Sequence, residues 1–237
     1  MKRFPPVIQD NDPLDGETVH IPVDGVLLEG SLDIPAKATG VVIFAHGSGS
    51  SRHSKRNQLV AWRIREKGLG TLLFDLLTAE EEEMDDVTRK LRFDIDFLAN
   101  RLIATARWLL ARPGTQGMRI GFFGSSTGGA AALVAAARMG NEVGAVVSRG
   151  GRPDLAGDAL SKVRCPTLLI VGGADENVLL LNEEALAELR CEKEIKVIPG
   201  ATHLFEEYGA LPQVAHHAAT WFRHHLDTST IPSGDVS

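Results

Sequence analysis

The 237-residue chain is poor in the features that mark several large protein classes. It has only two cysteines, Cys165 and Cys191, too few for a disulfide framework. No apolar run approaches the ~20 residues that a bilayer-spanning helix needs. The opening Met1-Lys2-Arg3-Phe4-Pro5-Pro6 is basic but has no apolar h-region, so no secretory signal is expected. Positive charge is also short. Lys+Arg number 25 against 31 Asp+Glu, a formal net charge of -6, without the basic footprint of a nucleic-acid or anionic-membrane binder. A cytoplasmic location with no nucleic-acid or membrane partner is the expectation. The single tyrosine, Tyr208, has no lysine four residues on, which argues against a short-chain reductase. Gly47-x-Gly49 meets Arg52 where a dinucleotide fingerprint needs a third glycine, and no Lys-Ser/Thr completes a phosphate loop. His216, His217, His224 and His225 form no i, i+4 pair, so they read as solvated helix residues rather than metal ligands. No cofactor and no metal are expected.

What is present is globular. Hydrophobic residues are 43% and charged residues 24%, which excludes a wholly disordered chain. The length fits one α/β domain over residues 1–237, with 1–15 loosely attached and 227–237 a mobile tail. Thr18 to Val23 and Val26 to Asp33 read as strands joined by the hairpin signal Asp24-Gly25. Buried strands follow at 40–46, 71–75, 119–124, 143–148, 167–171 and 195–198. Helices are expected at 55–67, 91–111, 127–139, 182–190 and about 210–226. Glu80–Glu83 reads as a solvated loop or helix start, or as a small mobile lid. A hairpin followed by alternating strands and helices predicts a mostly parallel sheet with helices on both faces, and chemistry at the carboxyl ends of the strands.

The sharpest motif is Gly124-Ser125-Ser126-Thr127-Gly128, between a buried strand and a helix. G-x-S-x-G in that setting is a nucleophile elbow, a strained turn that thrusts the central hydroxyl out of the sheet. The competing reading is a Gly-rich turn that only packs helix on sheet. Ser125 is a second hydroxyl, but Ser126 alone has glycine two residues away on both sides. Serine needs a general base, usually histidine, oriented by a carboxylate. His203 follows the last strand and Asp175 the one before it, giving the chain order Ser126, Asp175, His203. Asp154 is the rival acid and Glu176 a weaker one. Asp75 reads as a structural cap. The oxyanion of acyl transfer needs backbone donors, for which the Thr127 N–H and the Ser48 N–H are the candidates. The cysteines precede strands at the end away from this edge and read as structural thiols.

Three arginines, Arg52, Arg149 and Arg152, lie on loops at the same edge and are candidates to hold an anionic group of a substrate. The alternative for Arg149 is an ion pair with Asp154 or Glu80. The residues together predict a serine hydrolase of small esters, lactones or thioesters. The alternatives are an acyltransferase or peptidase on the same triad, or an idle ligand-binding scaffold.

HGSGSSRHS (46–54), LLFDLL (72–77), GFFGSSTGGAAAL (121–133), VSRGGRPDL (147–155), PTLLIVGGADENV (166–178) and IPGATHLFEE (198–207) carry a family likeness. Over about residues 17–226 the chain resembles the α/β-hydrolase superfamily, and within it the dienelactone hydrolase-like group. The resemblance implies a nearly lidless hydrolase sheet, cofactor-free cleavage of a small-molecule ester or lactone, and catalytic roles for Ser126, Asp175 and His203. The namesake enzymes look to a cysteine nucleophile where this chain has serine, which favours a broader carboxylesterase.

Overall fold

The computed structural model describes residues 16–227. The expectations for residues 1–15 and for the tail from 228 lie outside the described residues. Strand β1 (Glu17–Val23) turns into β2 (Val26–Asp33) through Asp24 and Gly25, both at positive φ, 46° and 84°, as the hairpin turn read from the sequence requires. The remaining strands are β3 (Gly40–Ala45), β4 (Gly70–Phe74), β5 (Arg119–Ser125), β6 (Val143–Arg149), β7 (Thr167–Gly172) and β8 (Lys193–Ile198). They form one sheet in the order β1-β2-β4-β3-β5-β6-β7-β8. β2 pairs antiparallel with both its neighbours, and every pair from β4 to β8 is parallel.

The helices are α1 (Lys55–Arg65), α2 (Ala79–Thr88), α3 (Ile95–Ala111), α4 (Thr127–Met139), α5 (Glu176–Glu188) and α6 (Ala210–Leu226). The inner strands β3 to β7 are buried at every position except Arg119, and mostly apolar, because both faces are covered. Val42, Phe44, Phe123, Ala145 and Val147 face α1 and α6, where Val60, Ile64, Val214 and Phe222 close the layer. Their neighbours Val41, Ile43, Phe122 and Val146 face α3, α4 and α5, against Leu102, Ala106, Leu133 and Ala185. This alternation within continuous apolar runs makes the sheet the centre of a three-layer α/β structure.

Helix ends are fixed by local chemistry. Ser54 accepts from the Asn57 N–H at the start of α1, and Gly68, beyond its end, has φ 78°. The helix expected over 91–111 begins instead at Ile95. Asp94 caps the Phe97 N–H at 2.9 Å, and residues Leu91–Phe93 form a separate 3₁₀ turn. The acidic stretch at 80–83 is the body of α2, started by a capping box in which Thr78 and Glu81 exchange backbone bonds. α5 begins at Glu176, six residues before the expected start, so Asp175 sits at its N-terminus. Among the described residues, no helix is long and apolar enough to cross a membrane.

Candidate active site

At the carboxyl end of β5 the chain turns sharply into α4, and Ser126 is the residue at the turn, with φ 51° and ψ -123°. A side-chain-bearing residue at positive φ is strained, and the surroundings hold it there. Its N–H donates to the Arg149 carbonyl at 3.3 Å, and its carbonyl accepts from the N–H groups of Gly129 and Arg152 at 3.0 and 3.2 Å. The flanking glycines are steric necessities. A Cβ on Gly124 would lie 2.3 Å from the Gly128 carbonyl oxygen, and one on Gly128 would lie 2.2 Å from that of Ala45. Although Ser126 occupies the N-cap position, its side chain makes no capping bond to α4, so the hydroxyl is not spent on the helix. Ser125, the competing hydroxyl, is 3% exposed and ends the buried strand.

The loops after β7 and β8 meet backbone to backbone. Gly173 donates to the Ile198 carbonyl at 2.8 Å and Ala174 to that of Ala201 at 2.9 Å, an approach that leaves no room for a Cβ on Gly172. This pairing brings His203 to Asp175, with His203 Nδ1 donating to Asp175 Oδ2 at 2.7 Å. The bond fixes the tautomer that leaves Nε2 as the free acceptor. The imidazole packs on Gly150, where a Cβ would stand 3.6 Å from His203 Cε1. Gly150 directly follows Arg149, whose carbonyl holds the Ser126 backbone. Asp154, the rival acid, is taken by Arg152 through two parallel bonds of 2.8 and 2.7 Å.

The loop after β3 runs against the elbow. A Cβ on Gly47 would lie 3.0 Å from that of Ser126, and the Ser48 and Thr127 hydroxyls are 3.2 Å apart. Gly49, at φ 65°, allows the turn closed by the bond from Ser50 N–H to the Gly47 carbonyl. Thr127 opens α4, so its N–H belongs to the unpaired, positive end of that helix.

His46 is a site residue that the sequence reading passed over. Its Nε2 accepts from the Leu76 N–H at 3.0 Å and its Nδ1 donates to the Gly47 carbonyl, also at 3.0 Å. Burial holds this imidazole below its usual pKa, outweighing the Gly47 carbonyl, Asp75 and Glu82, which act the other way. The neutral ring therefore clamps the peptide unit whose N–H is that of Ser48. Only the strand-end position hinted at this, because a lone histidine in a loop carries no motif.

The arginines divide. Arg52 donates its N–H to Asp75 at 2.7 Å and its guanidinium to Asp75 and Glu29. Both Arg52 and Arg152 are thus engaged by the protein's own carboxylates. Arg149 is 7% exposed, and its Nε and Nη1 have no hydrogen-bond partner. It pairs among the described residues with neither Asp154, which Arg152 holds, nor Glu80. Beside the oxyanion loop a small cleft, partly open to solvent, is lined by His46, Ser48, Leu76, Leu98 and Thr127 and bordered by α2. α2 is tied down by the buried Asp85, which accepts from Arg92 and from the Leu91 N–H at 2.7 Å. No three His, Cys, Asp or Glu side chains group to hold a metal among the described residues.

The chain is similar to a dienelactone hydrolase from Anabaena variabilis, 57% identical, with a TM-score of 0.88 over 90% of this chain and 98% of that one. It shares the fold of Est1E from Butyrivibrio proteoclasticus, TM-score 0.73 at 18% identity, over 89% of this chain and 98% of that one. Two Mycobacterium tuberculosis proteins are 54% identical to it over 214 residues and carry a provisional phosphoribosyl transferase name. The match covers 90% of this chain but 47% of theirs, so the chain spans about half the length of these curated relatives. The model of the dienelactone hydrolase family matches residues 28–228, from β2 through α6, and the chain belongs to that family of α/β hydrolases.

Proposed function

We propose that this protein is a serine hydrolase that cleaves small carboxylic esters or lactones through an acyl-enzyme intermediate. The observation that carries the reading is the 2.7 Å bond from His203 Nδ1 to Asp175 Oδ2, made beside a serine held at positive φ with its hydroxyl free of capping. In this reading Ser126 Oγ attacks the substrate carbonyl as His203 Nε2 takes its proton. Asp175 keeps the imidazole in the required tautomer and stabilises the imidazolium without itself being protonated. Negative charge on the carbonyl oxygen is met by the N–H groups of Thr127 and Ser48. Collapse expels the alcohol, which receives the proton from His203. Water then attacks the acyl-enzyme as His203 Nε2 takes its proton, and collapse releases the acid as that proton passes to Ser126 Oγ. No cofactor enters, and residues 1–237 act as one hydrolase domain.

An acyltransferase or peptidase could run on the same three residues, and an idle binding scaffold could keep the fold. Against the idle scaffold stand the complete Ser126, Asp175 and His203 set and a strained elbow whose serine hydroxyl makes no capping bond. The phosphoribosyl transferase name of the mycobacterial relatives belongs to proteins of about twice this span. The test is a panel of p-nitrophenyl esters, small lactones and amides assayed with the wild type and Ser126→Ala. Turnover of esters or lactones that Ser126→Ala lacks supports the reading. Turnover retained by the variant overturns it.

A further inference from the structure

Side chains alternate along β6. Ala145 and Val147 enter the layer of α1 and α6, while Ser148 faces α4, where a Cβ on Gly129 would meet its hydroxyl at 2.6 Å. Arg149 continues the α1 side. Its guanidinium therefore runs into that layer at the carboxyl edge of the sheet, near Arg56 in the first turn of α1. The two cations are close enough for Arg56 to lower the Arg149 pKa, which burial chiefly pushes down to about 10. Arg149 still carries its charge at neutral pH.

The hydrogen bonding there is incomplete. Nε and Nη1 of Arg149 and Nε of Arg56 are all buried without a partner. Arg56 reaches Glu206 only at 3.5 Å, the outer limit of a contact, and the Glu206 side chain is 67% exposed. Every other arginine at this edge is satisfied, Arg52 by Asp75 and Glu29 and Arg152 by Asp154. A charge taken out of water persists only with a counter-charge and hydrogen bonds. Here Arg56 has only a distant, exposed carboxylate, and Arg149 has no carboxylate partner among the described residues.

We propose that Arg149 and Arg56 form a binding site for an oxyanion beneath the loop that carries His203. The unpartnered Nε–H of Arg149 lies on the guanidinium edge it shares with Nη2, the edge that holds carboxylate, sulfate or phosphate by two parallel bonds, and Nη1 is a further unmet donor. Arg56 supplies the second charge. The site lies outside the triad but adjoins it, since Gly150 follows Arg149 and packs on both His203 and Phe205. The occupant is either a free inorganic ion or an anionic group on a bound substrate, and the chemistry that holds it is the same.

The binding test does not depend on the hydrolase reading. Inorganic phosphate is titrated into the full chain at ionic strength fixed with sodium chloride, followed by calorimetry and thermal melting. A saturable heat is expected, with a melting temperature raised by about 5–10 °C at a hundredfold excess over Kd. Arg149→Met should weaken phosphate binding at least tenfold, and Arg56→Met should weaken it as well. Should Arg149→Met not fold, Arg149→Lys keeps the charge but loses the paired donors, and it too should bind at least tenfold more weakly. No saturable response in the wild type overturns the site, as does wild-type affinity in either Arg149 variant. A second arm uses turnover of acetate and hemisuccinate esters of one alcohol. Phosphate competing only against the hemisuccinate identifies the substrate's own anion as the occupant. Phosphate altering turnover of both esters identifies a free ion. Loss of ester turnover altogether would count against the hydrolase reading and leave the phosphate titration standing.

Discussion

The hydroxyls of Ser48 and Thr127 lie 3.2 Å apart and join the loop after β3 to the first turn of α4 beside Ser126. The bond holds together the two segments whose N–H groups are assigned to the oxyanion. Thr127→Val keeps the buried shape and removes the tie. The expected result is a fall in kcat of about 3–10-fold with KM little changed. Deleting an oxyanion donor itself costs about 10²–10³-fold, and the tie only orients donors. Steady-state kinetics on a single ester checks this.

His46 acts on the same loop from the other side, as a positioning residue. Donation to the Gly47 carbonyl both orients the Gly47–Ser48 peptide and polarises its N–H. His46→Ala should lower kcat by about 10–100-fold, less than the loss of a donor itself, because the ring only positions one. His46→Asn, whose amide can still donate near the Nδ1 position, should recover part of it.

The same residue has a pH signature in stability. Its folded-state pKa lies below the ordinary value of 6.5 because the ring is buried. The unfolded chain therefore takes up a proton first as pH falls, and stability depends on pH in that window. The contribution is fully present above about 6.5 and is lost as pH drops towards the lower folded value. His217 and His225 are also lowered, chiefly by burial, and act in the same direction. Melting curves from pH 7.5 to 5 should show the wild type losing more stability on acidification than His46→Asn does. Parallel losses would contradict this role for His46.

Asp175 and Asp154 separate by partner. Asp175→Asn disturbs the imidazole tautomer and should reduce kcat by about 10⁴-fold. Asp154→Asn loosens the two-bond pair with Arg152, a partly exposed contact, and should change activity by less than about threefold with a small drop in melting temperature. Parallel assays of the two variants give the ranking directly.

Gly128 has no space for a methyl group. A Cβ there would stand 2.2 Å from the Ala45 carbonyl oxygen and 2.5 Å from that of His46, and both are backbone atoms that cannot swing aside. Gly128→Ala should cost at least about 1–3 kcal/mol of stability and abolish turnover, because relief requires moving β3 or the elbow. Chemical denaturation together with the ester assay measures both effects.

Much of this architecture was legible because local signals agreed with the fold. Asp24-Gly25 specified its turn, the apolar runs specified strands covered on two faces, and Gly-x-Ser-x-Gly specified an elbow whose glycines prove sterically obligatory. The positions of Asp175 and His203 after consecutive strands were likewise readable, since strand order alone puts their loops side by side. Less legible were effects of tertiary placement. The start of α3 was set by the Asp94 cap rather than by the apolar period, and the early start of α5 was hidden because its first turn, from Glu176, is largely exposed and adds no buried apolar position. The Thr78-x-x-Glu81 capping box was present in the sequence and would have identified α2. Which carboxylate each arginine meets could not be read at all. Asp154 goes to Arg152 rather than Arg149, and Asp75 to Arg52, because those pairings depend on side-chain reach across loops that spacing does not encode.

The central claim is that Ser126 is the nucleophile activated by His203. The most direct measurement is labelling of the folded wild type, Ser126→Ala and His203→Ala by a fluorophosphonate probe, with mass spectrometry of the modified peptide. The account predicts stoichiometric labelling of the wild type at Ser126, none in Ser126→Ala, and labelling slowed by orders of magnitude in His203→Ala. Modification at Ser125 or elsewhere, or equal labelling of folded Ser126→Ala, would contradict it.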